Sequence, residues 1–209
     1  MTLRFPIPAL IGLFGLVLVC LPLKAADEPT VLVLGDSLVA GYNLAPEMGF
    51  PEQLDRALDA ADHPVTMINA GVSGDTTAGG LARLGWVLTD RIDVMIVTLG
   101  GNDALRGLPP EAAEKNLAEI IEAAQAKGAT VLLTGMLAPR NLGADYAAEF
   151  DAIFPRLAER YGTVFYPFFL DGVAATPTLN QSDGIHPTEE GVALIVEKIL
   201  PTVLQALGQ

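Results

Sequence analysis

The chain has 209 residues, 51% of them hydrophobic, with 12 basic against 25 acidic side chains and a formal charge of −13. That length and apolar content suit one domain with a sizeable core. The acidic balance argues against a surface built to hold nucleic acid or an anionic membrane face.

The first 26 residues stand apart. Arg4 precedes an apolar segment from Ala9 to Leu21, and Lys24-Ala25-Ala26 leads into the polar Asp27-Glu28-Pro29. A positive start, an apolar stretch of about 13 residues and small residues before a polar turn describe a secretory signal peptide. The stretch falls short of the ~20 residues that a membrane span needs. Val19, before Cys20, is bulkier than a lipoprotein signal carries. Residues 1–26 are therefore expected to be an export signal, cut after Ala25 or Ala26. Residues 27–209 are expected to form one domain, periplasmic or secreted, with no stable membrane anchor. Cys20, the single cysteine, leaves with the signal, so disulfides and thiolate chemistry leave with it. Arg4 and Lys24 leave too, and 10 basic against 25 acidic residues remain, a balance of −15.

In the remaining chain, Val31–Leu34 is an apolar run that ends abruptly at Gly35-Asp36-Ser37. Such a run reads as a strand buried on both faces, as in a parallel sheet covered by helices. Phe50–Ala60 places Phe50, Leu54, Ala57 and Leu58 on one helical face, with Pro51 in its first turn. Val65–Ile68 reads as a second strand, Gly79–Leu88 as a helix after the Thr76-Thr77 caps, and Val94–Leu99 as a third strand before Gly100-Gly101-Asn102-Asp103. Pro110–Ala126 is the clearest helix, stopped by Gly128. Thr130–Thr134 reads as a fourth strand and Met136–Gly143 as its trailing loop. Tyr146–Tyr161 reads as a helix kinked at Pro155, and Val164–Tyr166 as a fifth strand. An irregular stretch, Pro167–Ser182, leads to Asp183-Gly184-Ile185-His186-Pro187 and a last helix opened by Pro187 or Thr188. Strands alternating with helices predict an α/β fold with a central parallel five-stranded sheet and helices on both faces.

Ser37 follows the first strand at the sheet edge where open α/β folds bind ligands. A serine becomes a nucleophile only with a base and an oxyanion site. The chain has two histidines, His63 and His186. His63 lies in the polar turn Asp62-His63-Pro64 at the opposite edge, where a solvated role is expected. His186 has Asp183 three residues before it, a spacing that lets the carboxylate reach Nδ1 while Nε2 faces a hydroxyl. Taken alone, Asp-x-x-His also fits an ordinary exposed turn. Asn102, after two glycines, offers a side-chain amide, and Gly74 and Ser37 offer backbone N–H groups, to a developing oxyanion. Ser73 is a rival hydroxyl on the same edge. No dinucleotide or phosphate loop follows any strand, and the G-x-S-x-G elbow is absent. No metal site and no cofactor are expected.

Taken together, Gly35-Asp36-Ser37-Leu38, Asn69–Thr76, Gly100-Gly101-Asn102-Asp103 and Asp183–Pro187 resemble, in order, the four blocks of the GDSL or SGNH hydrolase family. Within it the likeness is to the exported bacterial thioesterase I, lysophospholipase L1 and arylesterase group. It is carried by Gly35–Tyr42, Ser73–Thr76, Gly80–Leu84 and Leu99–Gly107. Gly71 stands where that group carries a bulkier residue, and the loop Met136–Gly143 has no clear counterpart. The resemblance implies a three-layer α/β/α sandwich of flavodoxin-like type and a Ser37–His186–Asp183 triad. It also implies an oxyanion hole of Ser37, Gly74 and Asn102. The expected reaction is hydrolysis of small acyl esters and thioesters without a cofactor, with Met136, Leu137 and Leu142 lining the acyl groove. Two alternatives are a carbohydrate O-deacetylase of the same family and a non-catalytic flavodoxin-like binding module.

Overall fold

The computed structural model describes residues 1–2, 28–89 and 91–209, so the expected export signal beyond Thr2 lies outside the described residues. Five strands form one parallel sheet: β1 (Thr30–Gly35), β2 (Thr66–Gly71), β3 (Val94–Thr98), β4 (Thr130–Thr134) and β5 (Val164–Tyr166), in the order β2-β1-β3-β4-β5. The helices between them are α1 (Ser37–Ala40), α2 (Phe50–Ala60), α3 (Thr77–Val87), α4 (Gly101–Leu105), α5 (Pro110–Ala126), α6 (Ala144–Asp151), α7 (Ile153–Tyr161) and α8 (Glu189–Ala206). On one face α2 packs against α8; on the other α5 packs against both α3 and α7. This is a three-layer α/β/α sandwich. No helix among the described residues is long and apolar enough to cross a membrane.

The apolar runs of β1 and β3 fall at the middle of the sheet because each has a strand on either side and a helix layer above and below. Val31–Leu34 and Val94–Val97 are accordingly buried throughout. From β1 the chain moves outward to β2, then returns past β1 to start β3 on its other side. The reversal opens a crevice between the carboxyl ends of β1 and β3, where ligands bind in such sheets. Ser37 follows one of these strands and Asn102 the other.

Several elements depart from the sequence-based expectation. The second strand runs to Gly71 rather than ending at Ile68. It is the edge strand and half exposed, so Asn69 needs no apolar side chain to extend it. The expected Tyr146–Tyr161 helix is two helices that meet at Ala152, and Pro155 lies inside the first turn of α7. There the missing N–H breaks no helical bond, because a first-turn donor has no partner within its own helix. The Gly35-Asp36-Ser37 and Gly100–Asp103 stretches, at which the first and third apolar runs stop, each lead into a short helix, α1 and α4.

Gly71 explains how α1 lies so close to β2. A Cβ built there would stand 2.3 Å from the Ala40 backbone nitrogen, a distance no packed methyl tolerates. Gly71→Ala should therefore push α1, and Ser37 with it, away from the sheet. Overpacking of this kind costs about 1–3 kcal/mol. A thermal melt of Gly71→Ala at unchanged midpoint would mean that α1 adjusts freely.

Candidate active site

Ser37 is the first residue of α1, and the helix is capped by Asp36, whose Oδ1 accepts from the Leu38 N–H at 3.0 Å. The sharp passage from buried strand to short helix sets the Ser37 hydroxyl at the mouth of the crevice. His186 reaches it from 149 residues away: Nε2 lies 2.8 Å from Ser37 Oγ. On the other side of the ring, Nδ1 lies 2.8 Å from Asp183 Oδ2. Asp183 Oδ1 accepts from the backbone N–H groups of Ile185 and His186 at 2.9 and 3.0 Å. Those two N–H bonds, with the imidazole contact, draw the Asp183 carboxyl down to about 2, so it stays ionised across ordinary pH. Gly184, at φ +70°, gives the loop its tight turn.

The loop is held by residues that the sequence pattern did not single out. Gln181 N–H donates to the His186 carbonyl at 2.7 Å, and Gln181 Nε2 donates to the carbonyls of Tyr42 and Pro187, both at 2.9 Å. Asn180, buried, donates to the carbonyls of Val173 and Thr176 at 2.7 and 2.9 Å. The Tyr42 ring packs against the His186 ring, with centroids 4.5 Å apart. The His186 backbone and ring are thereby fixed on both sides.

Asn102 lies in the first turn of α4, after Gly100 in left-handed backbone at φ +109°. Its Nδ2 donates to the Asp75 carbonyl at 2.9 Å and toward Asp36 Oδ2 at 3.2 Å. The neighbouring Asp103 is buried and accepts from the Thr77 N–H and hydroxyl at 2.8 and 2.7 Å, which ties α4 to the start of α3. Gly74, at φ +86°, sits in the turn between β2 and α3, its carbonyl accepting from Arg106 Nη2 at 2.8 Å. Ser37, Gly74 and Asn102 thus come from three loops at one edge of the sheet. His63 lies between α2 and β2 at the other edge, and Ser73 is exposed, with His186 bonded to Ser37 instead.

A cavity of about 620 Å³ opens beside Ser37, Asn102 and His186. Its walls are largely apolar, formed by Leu105, Met136, Leu137, Phe168, Leu170 and Ile185. Met136 and Leu137 line it. Leu142 does not. Asp151 accepts from the Ala138 N–H at 2.8 Å and pairs with Arg140 at 2.7 Å. These bonds turn the second half of the loop toward α6, and Leu142 lies near Gly107 instead. Phe168, Leu170 and Ala174, from the irregular stretch after β5, complete the far wall. Phe168 and Leu170 fall in the apolar stretch Phe165–Leu170, whose composition suits a lipid-like acyl group, whereas nothing in the sequence marks Ala174.

Residues 33–194 match the model of the GDSL-like lipase/acylhydrolase family. The chain belongs to that family. It is 39% identical over 189 residues to esterase TesA of Pseudomonas aeruginosa, an alignment that covers 90% of this chain and 94% of that protein. It is 38% identical over 183 residues to thioesterase 1/protease 1/lysophospholipase L1 of Escherichia coli K12, covering 87% of this chain and 86% of that one. Among solved structures, the psychrotrophic esterase EstA from Pseudoalteromonas sp., inhibited by monoethylphosphonate, superposes with a TM-score of 0.82 at 32% identity. That match covers 88% of this chain and all of EstA.

Asp36 is the costly part of this acylhydrolase site. Its side chain is buried, and burial raises the carboxyl from 3.8 to about 6 despite the Leu38 and Asn102 N–H groups and the nearby His186 that favour its charge. The rise corresponds to on the order of 3 kcal/mol. The sign follows from linkage: between about pH 4 and 6 the folded chain holds a proton that the unfolded chain has released. Stability from Asp36 is thus full below about pH 4 and lost as pH rises through 6. Compared with Asp36→Asn, the wild-type chain should lose stability between pH 4 and pH 7 in denaturant titrations. Parallel pH profiles for the two would assign the buried titration elsewhere.

Proposed function

We propose that this chain is a serine esterase that hydrolyses acyl esters and thioesters through an acyl-enzyme on Ser37. The observation that carries the reading is the continuous path Asp183–His186–Ser37, with both links at 2.8 Å, ending at the wall of an apolar cavity. His186 Nε2 takes the Ser37 proton as Oγ attacks the acyl carbon, and the imidazolium then donates it to the leaving alkoxide or thiolate. Asp183, ionised and held by two backbone N–H groups, stabilises the imidazolium and fixes its orientation. Water, deprotonated by the same histidine, releases the acid in the second half-reaction.

The carbonyl oxygen becomes an oxyanion between Asn102, Gly74 and the Ser37 N–H. Asn102 Nδ2 has two hydrogens. The 2.9 Å bond to the Asp75 carbonyl keeps the carboxamide in place, and the longer 3.2 Å contact to Asp36 is the one that the oxyanion takes over. A non-catalytic binding module would have no use for the serine–histidine–aspartate path.

Residues 1–26 act in this reading as an export signal, and residues 27–209 as one hydrolase domain working in the periplasm or outside the cell. The positive start and short apolar stretch of the first 26 residues support it.

The kinetic test is direct. Ser37→Ala and His186→Ala should abolish hydrolysis of a chromogenic ester, while His63→Ala should leave it near the wild-type rate. Asn102→Ala should lower kcat by roughly 10²–10³ with little change in KM. An unchanged kcat in Asn102→Ala would make that residue a structural turn and nothing more.

The cavity sets the acyl preference. Each methylene buried is worth about 0.8 kcal/mol, or about fourfold in kcat/KM. Against p-nitrophenyl esters of graded length, kcat/KM should rise from acetyl to medium chains and level off when the cavity is full. Leu137→Ala should flatten the rise without harming acetyl ester hydrolysis, and Leu142→Ala, outside the lining, should not. A wild-type profile highest at acetyl and falling with length would favour the O-deacetylase instead.

A further inference from the structure

The turn that carries Gly74 belongs to no helix or strand, so the direction of its N–H depends on what holds the turn. Residues 72–75 are closed by the Asp75 N–H donating to the Val72 carbonyl at 3.1 Å. Val72 N–H donates to the Gly35 carbonyl at 3.0 Å, Arg106 Nη2 to the Gly74 carbonyl at 2.8 Å, and Asn102 Nδ2 to the Asp75 carbonyl at 2.9 Å. A further bond engages the turn's side chain: Arg83 Nε donates to Asp75 Oδ2 at 2.6 Å. The same guanidinium donates through Nη2 to the Gly35 carbonyl at 3.0 Å, two residues before Ser37.

Two features separate this pair from an ordinary surface salt bridge. The side chains are only 14% and 16% exposed, so solvent screens them little. Helix α3 is also shaped around the pair. Gly79 and Arg83 lie four apart on one helix face, and a Cβ on Gly79 would stand 2.7 Å from Asp75 Oδ1. Gly79 leaves room for the carboxylate and Arg83 grips it one turn later.

We propose that Arg83 is a positioning residue of the oxyanion pocket: one guanidinium locks the Gly74–Asp75 turn to the carboxyl end of β1. It thereby sets the Gly74 N–H and, through the Asp75 carbonyl, the Asn102 carboxamide at fixed distances from Ser37. The inference rests on the reading of Gly74 and Asn102 as oxyanion donors. Lysine cannot substitute, because a single ammonium on a flexible stem does not hold two acceptors at the fixed angle of the guanidinium fork.

Arg83 reaches the substrate only through the turn, so its loss should weaken the transition state and spare ground-state binding. In Arg83→Lys and Arg83→Met, kcat for a medium-chain p-nitrophenyl ester should fall about 10- to 100-fold, the cost of a misplaced catalytic group, with KM nearly constant. Affinity for an alkyl boronic acid, which becomes tetrahedral on the serine, should fall in step with kcat, and inhibition by octanoate should not move. Asp75→Asn should act in the same direction. Arg83→Met combined with Asp75→Asn should be no worse than the worse single variant, because the two act as a unit.

Arg83→Lys keeps the charge and carries the test if Arg83→Met fails to fold. Wild-type kcat in Arg83→Lys, or equal losses in boronate and octanoate affinity, would overturn the assignment. The outcome of Asn102→Ala separates the two levels. If Asn102→Ala itself leaves kcat intact, the oxyanion reading fails and this inference with it. If Asn102→Ala slows turnover and Arg83→Lys does not, only the role of Arg83 is lost.

Discussion

The hydrogen bond between His186 Nε2 and Ser37 Oγ joins residues 149 positions apart at 2.8 Å, and the arrangement of the carboxyl edge depends on it. Ser37 can be met there only because β1 is central and ends in a capped short helix. His186 can meet it only because the loop before α8 folds back over that edge. Thr188 caps α8 by accepting from the Gly191 N–H at 3.2 Å, which fixes where the loop ends. Gln181 and Asn180 then hold the loop's near side. Both partners of the bond are thus held by their own surroundings, the kind of preorganisation that a serine nucleophile needs.

The same edge carries a destabilising group. Asp36 is buried and pushed up to about 6, yet it caps α1 and contacts the Asn102 carboxamide. One carboxylate therefore ties the helix that carries Ser37 to the proposed oxyanion donor on the opposite side of the crevice. An apolar residue would relieve the burial cost but leave the Leu38 N–H without its cap and the Asn102 carboxamide without a stop. Stability is traded for position at the residue next to the serine.

Much of this was legible in the sequence, for definite reasons. β1, β3 and β4 are apolar runs, and a strand covered on both faces has no other way to appear. The proximity of His186 to Ser37 is legible because the chain has only two histidines and the other, His63, lies in a turn at the far edge. The end of β2 is not legible, because an edge strand tolerates Asn69 and apolar content does not mark such a strand's end. The break at Ala152 was misplaced because Pro155 looks like a kink until its position within a first turn is known. Asp36 is legible as part of the Gly35–Leu38 block, but its burial is not, since that depends on residues far away in the chain. Arg83 lies in the Gly80–Leu84 stretch that carries the family likeness and Gln181 lies in no motif, yet neither shows what it holds, because their partners, Asp75 and Gly35 for one and Tyr42 and Pro187 for the other, are set by the fold. Leu142 was grouped with Leu137 by proximity in sequence, and the Arg140–Asp151 pair separates them.

A fluorophosphonate bonds covalently to a serine only when a base removes its proton and donors receive the phosphoryl oxygen, so it reports on the whole arrangement at once. Reaction of the purified protein with a fluorophosphonate, followed by intact mass and peptide mapping, should give one phosphonyl group per chain, on Ser37. Labelling should vanish when the protein is unfolded first. An adduct on Ser73 or another hydroxyl, or labelling of Ser37 that survives unfolding, would contradict the account.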